Sequence, residues 1–281
     1  MIEIGKWNTL KITRKKDFGV YLADEEDETK DVLLPSRQVP KDAKIGDMLK
    51  VFIYKDSMDR LISTMKTPYI TIDELAVLRC VSTSSIGAFM DWGLEKDLLM
   101  PFKQQTGKVV EGKDYLVRMY LDKTERLCVS MKLYNYLSTD SPYSAGDIVT
   151  CIVYESNPEL GAFVAVDAKY NGLIPRREIH TKIMAGDILS GRVTKVRDDG
   201  KLYITTLKPI DEQMKEDCGI ILNIIKSYDG ILPFDDKTDK EVIERECGLS
   251  KNAFKRAVGR LLKSGAIIKK ENKIFLNEEG D

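Results

Sequence analysis

The chain has a single histidine, His180, in 281 residues. Metal centres and acid–base chemistry built on imidazole therefore have one residue to draw on. With no cysteine or acidic cluster beside it, His180 reads as a surface residue. The five cysteines, Cys80, Cys128, Cys151, Cys218 and Cys247, are odd in number, scattered and without C-x-x-C spacing. That argues against a disulfide framework and a cysteine zinc site, and fits a reducing cytosol. No apolar run approaches the roughly 20 residues that cross a bilayer. Met1-Ile2-Glu3-Ile4-Gly5 lacks the basic-then-apolar layout of an export signal. There is no glycine-rich phosphate loop and no nucleophile elbow. Carboxylates are plentiful but unclustered outside acidic loops, so counting alone leaves a two-carboxylate hydrolase open. There is also no charge excess: 44 basic against 45 acidic residues leave −1. Local clusters, not the total, must decide about a polyanion partner. The expectation is a cytoplasmic monomer with no cofactor, no metal and no membrane segment.

What is present is a segment that occurs three times in the same order. Copy one carries Phe18-Gly19-Val20-Tyr21, Leu34-Pro35, Gly46-Asp47 and Arg60-Leu61-Ile62-Ser63. Copy two carries Ile86-Gly87-Ala88-Phe89, Met100-Pro101, Gly112-Lys113 and Arg126-Leu127 running to Ser130. Copy three carries Leu160-Gly161-Ala162-Phe163, Ile174-Pro175, Gly186-Asp187 and Lys201-Leu202 running to Thr205. The prolines are 66 and 74 residues apart, and so are the second glycines. A period near 70 is too long for a solenoid unit, so each copy is read as a small domain. The expected organisation is 1–66, 67–139 and 140–210, followed by a different domain over 211–281.

Copy three reads most clearly. Asp147–Tyr154 is β-branched and aromatic, hence a strand, and Asn157-Pro158 turns the chain. Gly161–Val166 is a second strand, Tyr170-Asn171-Gly172 a turn, and Leu173-Ile174 the start of a short third strand. Pro175, lacking an amide hydrogen, ends its pairing. Arg176–His180 fits one helical turn. Ile188–Val196 and Leu202–Thr206 are strands joined by the hairpin signal Asp198-Asp199-Gly200. Five short strands in about 65 residues match the OB-fold, a partly open Greek-key barrel. The fold class expected is multidomain and mainly β, with three tandem five-stranded OB-fold barrels and then an α+β winged helix.

These motifs resemble the OB-type repeat of the ribosomal S-one type, most fully over 140–208. Three departures stand out. The histidine after the third strand of that type is Pro35, Pro101 and Pro175 here. Its aromatic before the glycine survives only as Phe18. Its strand-five arginine is kept as Arg60 and Arg126 but is Lys201 in copy three.

In the last segment, Thr238-Asp-Lys-Glu241 reads as a capping box opening a helix through about Glu246. Cys247-Gly248-Leu249 turns the chain. Ser250 caps a further helix with Phe254, Val258, Leu261 and Leu262 inward, and Gly265 ends it. Ile267-Ile268 and Ile274-Phe275-Leu276 read as strands joined across 269–273, and a helix near Glu212–Ile225 completes a winged-helix core. Pro209 marks a short junction before it. Three S-one-type units and a winged helix resemble the conserved virulence factor B family. That resemblance implies a cytoplasmic, non-enzymatic RNA-binding protein that influences gene expression, including virulence genes in some pathogens.

Candidate contacts follow from chemistry. Tyr21, Phe89 and Phe163 share one position of the second strand, where an outward aromatic can stack a base; the competing reading is that they fill the barrel. Lys15 and Lys16, following Lys11 and Arg14, lead into Phe18, but the next loop, Asp24–Asp31, packs six acids and one lysine and would repel phosphate. Arg176, Arg177 and Lys201 are further candidate contacts on copy three. Residues 250–273 hold eight basic residues and one acidic. Lys251, Asn252, Lys255, Arg256, Arg260 and Lys263 fall on the outward helix face, and Lys269, Lys270 and Lys273 on the wing. The acidic stretch 211–249 is expected on the opposite face. The partner expected is single-stranded RNA, with DNA through the winged helix as one alternative and a protein-interaction scaffold as the other.

Overall fold

The computed structural model describes residues 1–207 and 210–277, so the junction residue Pro209 lies outside the described residues. The chain divides into two compact units, Met1–Thr206 and Leu207–Asp281. The first contains three five-stranded barrels. Barrel one is β1 (Trp7–Lys16), β2 (Gly19–Asp24), β3 (Asp27–Pro35), β4 (Met48–Lys55) and β5 (Leu61–Thr64). Barrel two is β6 (Leu75–Thr83), β7 (Gly87–Met90), β8 (Leu98–Pro101), β9 (Asp114–Leu121) and β10 (Leu127–Ser130). Barrel three is β11 (Ile148–Asn157), β12 (Gly161–Val166), β13 (Tyr170–Pro175), β14 (Ile188–Val196) and β15 (Leu202–Thr205). In each, the third strand pairs the fifth in parallel and the fourth closes on the first. The OB barrels are thus closed rather than partly open. Period-two alternation supplies each core: Leu10 and Ile12, Val20 and Leu22, Val32 and Leu34, and Val51 and Ile53 all point into barrel one.

The repeated landmarks have one structural explanation. Gly19, Gly87 and Gly161 stand opposite Pro35, Pro101 and Pro175 in the sheet register. A Cβ on these glycines would collide with the carbonyl oxygens of Leu34, Met100 and Ile174. After each proline comes one 3-10 turn, Ser36–Gln38, Phe102–Gln104 or Arg176–Glu178. The last residue of that turn accepts from the final strand: Thr64 Oγ1 to Gln38 at 2.7 Å, Ser130 Oγ to Gln104 at 2.8 Å, Thr205 Oγ1 to Glu178 at 2.9 Å. In copy one the equivalent hydroxyl is therefore Thr64, not Ser63. Gly46, Gly112 and Gly186 have φ of 98°, 76° and 86°. Each donates its N–H back to the first strand, to Ile12, Cys80 and Val153.

Two local expectations are corrected. Tyr170-Asn171-Gly172 lies within β13, and the turn falls on Asp167-Ala168-Lys169, where Asp167 and Ala168 are left-handed. Gly172 is needed for packing instead: a Cβ there would sit 2.7 Å from Ile204 Cδ1. The acidic run Asp24–Asp31 is not a loop but the β2–β3 hairpin and the start of β3, where Asp31 pairs with Arg14 at 2.7 Å.

The barrels are joined by shared core and polar ties. Phe52 and Tyr54 of β4 pack with Ile70 and Trp92 in one cluster that spans barrels one and two. Lys113, which replaces the landmark aspartate in copy two, reaches the landmark aspartate of copy three: its Nζ lies 2.7 Å from Asp187. That substitution makes a domain tie from a turn residue.

The second unit contains α1 (Ile210–Ser227), β16 (Ile231–Leu232), α2 (Lys240–Cys247), α3 (Lys251–Lys263), β17 (Ile267–Lys270) and β18 (Lys273–Leu276). The helices and a three-stranded sheet ordered β16-β18-β17 enclose Ile221, Ile225, Ile243, Phe254 and Ile274. Ser250 caps α3, accepting from Ala253 N at 3.2 Å. The capping box before α2 does not form: Asp239 is the N-cap, without a side-chain bond, and the Thr238 amide donates to Asp235 O. Leu262 is exposed, and Ala257 takes its expected inward place. The wing turns tightly on Glu271-Asn272, both at positive φ, which leaves Lys269, Lys270 and Lys273 on strands. No helix among the described residues is long and apolar enough to cross a membrane.

Candidate nucleic-acid interface

Sheet register lines up one outward row on each barrel. It runs Arg14–Tyr21–Leu33–Ile62 in barrel one, Ser82–Phe89–Leu99–Cys128 in barrel two, and Glu155–Phe163–Leu173–Tyr203 in barrel three. The alternate residues on these strands are core, so Tyr21, Phe89 and Phe163 point away from their barrels, and all three are half-buried.

On barrel three this row opens into a groove of about 870 Å³. Its floor is Leu160, Leu173, Pro175 and Tyr203, and its rim carries Arg176, Arg177 and Lys195 with Glu159 and Glu178. The three cations are exposed. Arg176 donates to Ile179 O at 2.9 Å, which orients its guanidinium. Glu178 is engaged by Thr205 and lies 3.5 Å from Arg177, so much of its charge is compensated. An apolar floor with an aromatic ring and a cationic rim can take an unpaired base with its phosphate. Tyr203, Lys195 and Leu160 are not among the contact residues expected from the sequence. Tyr203 comes beside Leu173, and through it Phe163, only in the sheet register of the folded barrel.

Phe163 itself is not an open platform. Tyr134, from the segment between barrels two and three, meets it edge-on at 5.8 Å, and Tyr154 lies 6.3 Å away on another side. Lys201 is likewise committed, donating to the Tyr134 hydroxyl and to Asp199 at 3.1 Å each. These two bonds hold its ammonium above the ordinary lysine range, and Lys201 holds the Asp199 carboxyl low.

On barrel one Phe18 is 56% exposed and stands edge-on to Tyr21, whose ring carries the Arg14 guanidinium at 4.0 Å. They border a smaller groove with Leu33, Ile62 and Arg60, into which Asp31 and Asp56 also face. Arg60 is paired with Asp56 at 2.8 Å. Burial raises the Asp56 carboxyl, but the bonds from Arg60 and from backbone amides outweigh it and leave it below its usual range. Lys15 and Lys16 are exposed at the end of β1. On barrel two Arg126 is bound to Asp59 of barrel one, so the strand-five cation is ion-paired in every copy.

In the second unit Asn252, Lys255, Arg256, Arg260 and Lys263 line the exposed face of α3. Lys251 is half-buried and reaches Lys237 O at 3.4 Å. Lys269 is not available for a ligand: it bridges Asp236 and the buried Asp235, the latter at 2.9 Å. Lys270 and Lys273 stay exposed. His180 is exposed, and among the described residues no three His, Cys, Asp or Glu side chains gather to hold a metal.

Comparison with known proteins agrees with this architecture. A model of the S1 domain matches residues 4–66, and a model of the CvfB-like winged helix domain matches residues 220–276. Conserved virulence factor B from Staphylococcus aureus strain N315 is 26% identical over 246 residues, covering 84% of this chain and 82% of its own. The chain resembles conserved virulence factor B. An uncharacterized Bacillus subtilis protein, YitL, is 29% identical over 279 residues, covering 94% of this chain and 90% of its own. A Streptococcus pneumoniae crystal structure, described as a multidomain protein with nucleic acid binding domains, shares the fold. It has a TM-score of 0.56 and 22% identity over 97% of this chain and 98% of that one. Both matched models belong to nucleic-acid-binding domain types. The S1 match falls on copy one, although copy three spells the motif more fully.

Proposed function

We propose that this chain is a cytoplasmic, non-catalytic protein that binds single-stranded RNA and through it influences gene expression. One observation carries the reading: the barrel-three groove, where Leu160, Leu173 and Tyr203 form an apolar floor under Arg176, Arg177 and Lys195. Bases stack on such a floor and phosphates pair at such a rim, and a duplex hides its base faces from both. The similarity to conserved virulence factor B supports the regulatory role. A second ligand is favoured by the exposed basic face of α3, the element that enters a groove when winged helices hold duplex DNA.

The test is a titration of the full chain with labelled single-stranded RNA at rising salt, with duplex DNA as competitor. Affinity for RNA is expected to exceed that for duplex DNA and to fall as salt rises, because bound phosphates release counterions. Replacing Lys255, Arg256 and Arg260 by alanine should lower the salt slope by about 2, at roughly 0.7 for each lost phosphate contact. Absence of RNA binding at low salt overturns the reading. RNA degradation that persists through repurification overturns its non-catalytic part.

A further inference from the structure

Two tyrosines in the segment between barrels two and three keep much of their surface open to solvent. The segment after β10 is anchored by Leu133 and Leu137, both buried. Backbone bonds fix its end: Ser138 N donates to Lys169 O, and Asn171 N to Ser138 O, at 2.9 Å each. The buried Asn171 side chain adds a bond to Tyr134 O, also at 2.9 Å. Between the two leucine anchors, Tyr134 is 43% exposed and Tyr136 is 54% exposed. Neither ring swings freely. The Lys201 ammonium sits 4.8 Å from the centre of the Tyr134 ring, and the Arg118 guanidinium 3.9 Å from that of Tyr136.

The buried leucines hold the segment and Tyr134 turns one edge to Phe163, so packing accounts for part of these rings and leaves the rest exposed. The exposed part suits a ligand. A ring clamped from one side keeps its exposed surface ready, and the entropy of ordering a side chain on binding is already spent. Both clamping cations are shared with carboxylates, Lys201 with Asp199 and Arg118 with Asp73. They position the rings, and the exposed Lys132 beside them is left for a phosphate.

We propose that Tyr134 and Tyr136 form a second single-stranded RNA contact, separate from the barrel grooves, that works by stacking unpaired bases. The proposal rests on the RNA-binding reading for its ligand. Because the clamped rings do the work, the contact adds affinity without adding much salt dependence.

The experiment is fluorescence anisotropy with a labelled oligouridylate of about 16 nucleotides, the upper site size of one OB unit. It compares the full chain with two double variants. Tyr134→Leu/Tyr136→Leu should bind about 5- to 100-fold more weakly with the salt slope unchanged. Tyr134→Phe/Tyr136→Phe should bind like wild type, because the rings remain. A leucine variant that binds like wild type overturns the proposal and leaves the RNA reading standing. A phenylalanine variant that loses as much as the leucine variant overturns stacking as the cause. Should the leucine variant fold poorly, photocrosslinking of the unaltered chain to thiouridine-substituted RNA decides: crosslinks on 132–136 support the contact, and crosslinks confined elsewhere overturn it. No RNA binding by wild type would bring down both readings.

Discussion

Barrels one and three follow the same backbone plan and expose different surfaces. In barrel one Phe18 stands open beside Tyr21, with Arg14 stacked on the second ring. In barrel three the residue before the glycine is Leu160, Phe163 lies against Tyr134 and Tyr154, and the larger groove is floored by Tyr203. Copy three spells the repeat more fully, yet its second-strand aromatic is packed against two tyrosines. The motif glycines and prolines record what closing the barrel demands. Which aromatic remains available depends on what packs over the barrel afterwards, and the repeat does not encode that.

The largest expected effect tests the shared half of this comparison. Gly161→Ala should destabilise the first unit by about 3 to 5 kcal/mol in urea unfolding, because its φ of 121° is strained for alanine and the new Cβ meets Ile174 O. Gly19→Ala should behave alike, since it faces Leu34 O across the same pairing. If one of the two substitutions proves neutral, the barrels do not share their structural logic.

The same division between structural and available side chains runs through the basic segment of the second unit. Lys269→Ala should cost about 2 kcal/mol of stability, less than a fully buried pair because Lys269 keeps 27% of its side chain exposed while Asp235 keeps 2%. Lys270→Ala should change stability by less than about 0.5 kcal/mol. The pH dependence has a defined sign. Burial raises the Asp235 carboxyl, but its bonds to Lys269 and to the Lys237 amide outweigh that and hold it below the usual range. Its contribution is therefore full above the ordinary carboxylate value and is lost as pH falls through the lowered one. Lys269 is raised by Asp236 and Asp235, so its contribution is full below the ordinary lysine value and is lost only as pH rises through the higher one. The gap between wild type and Lys269→Ala should thus hold across neutral pH and begin to close below about pH 4. A gap unchanged at pH 3 would remove the ion pair as its cause.

Legibility from sequence follows the same line. Glycines at close approaches, prolines at strand ends, the Asp198-Asp199-Gly200 hairpin and the Ser250 cap act through their own backbone or near neighbours, and the sequence shows them. Asn171-Gly172 has the composition of a turn but a tertiary role: the asparagine ties down the linker at Tyr134 and the glycine admits Ile204. Lys269 looks like a wing cation until the chain brings Asp235 and Asp236 beside it. The cover on Phe163 comes from Tyr134, 29 residues earlier in the chain. Tyr203 carries no repeat signal, because Ile62 and Cys128 hold its place in the other copies.

The smallest expected effects separate the two barrel surfaces most sharply. Phe18→Ala and Tyr203→Ala remove rings from the two grooves, and neither ring belongs to a buried core cluster. Each should leave the unfolding midpoint nearly unchanged and cost about 1 to 2 kcal/mol of RNA affinity if its groove is used, with little change in salt slope because stacking is not ionic. Phe163→Ala should do the reverse. It empties the contact between Tyr134 and Tyr154, so it should lower stability by about 1 to 2 kcal/mol, less than a full core deletion because the ring is half-buried. Any affinity loss should then arise indirectly, through a loosened Tyr134. The three variants, compared for unfolding and for RNA titration, place binding on one barrel or both. A loss with Tyr203→Ala alone assigns it to the groove with the cationic rim. A loss with Phe18→Ala alone assigns it to barrel one, despite Asp31 and Asp56 in its groove. If Phe163→Ala lowers affinity while leaving stability and linker order intact, the ring is an open platform after all, and the contrast between the barrels is wrong.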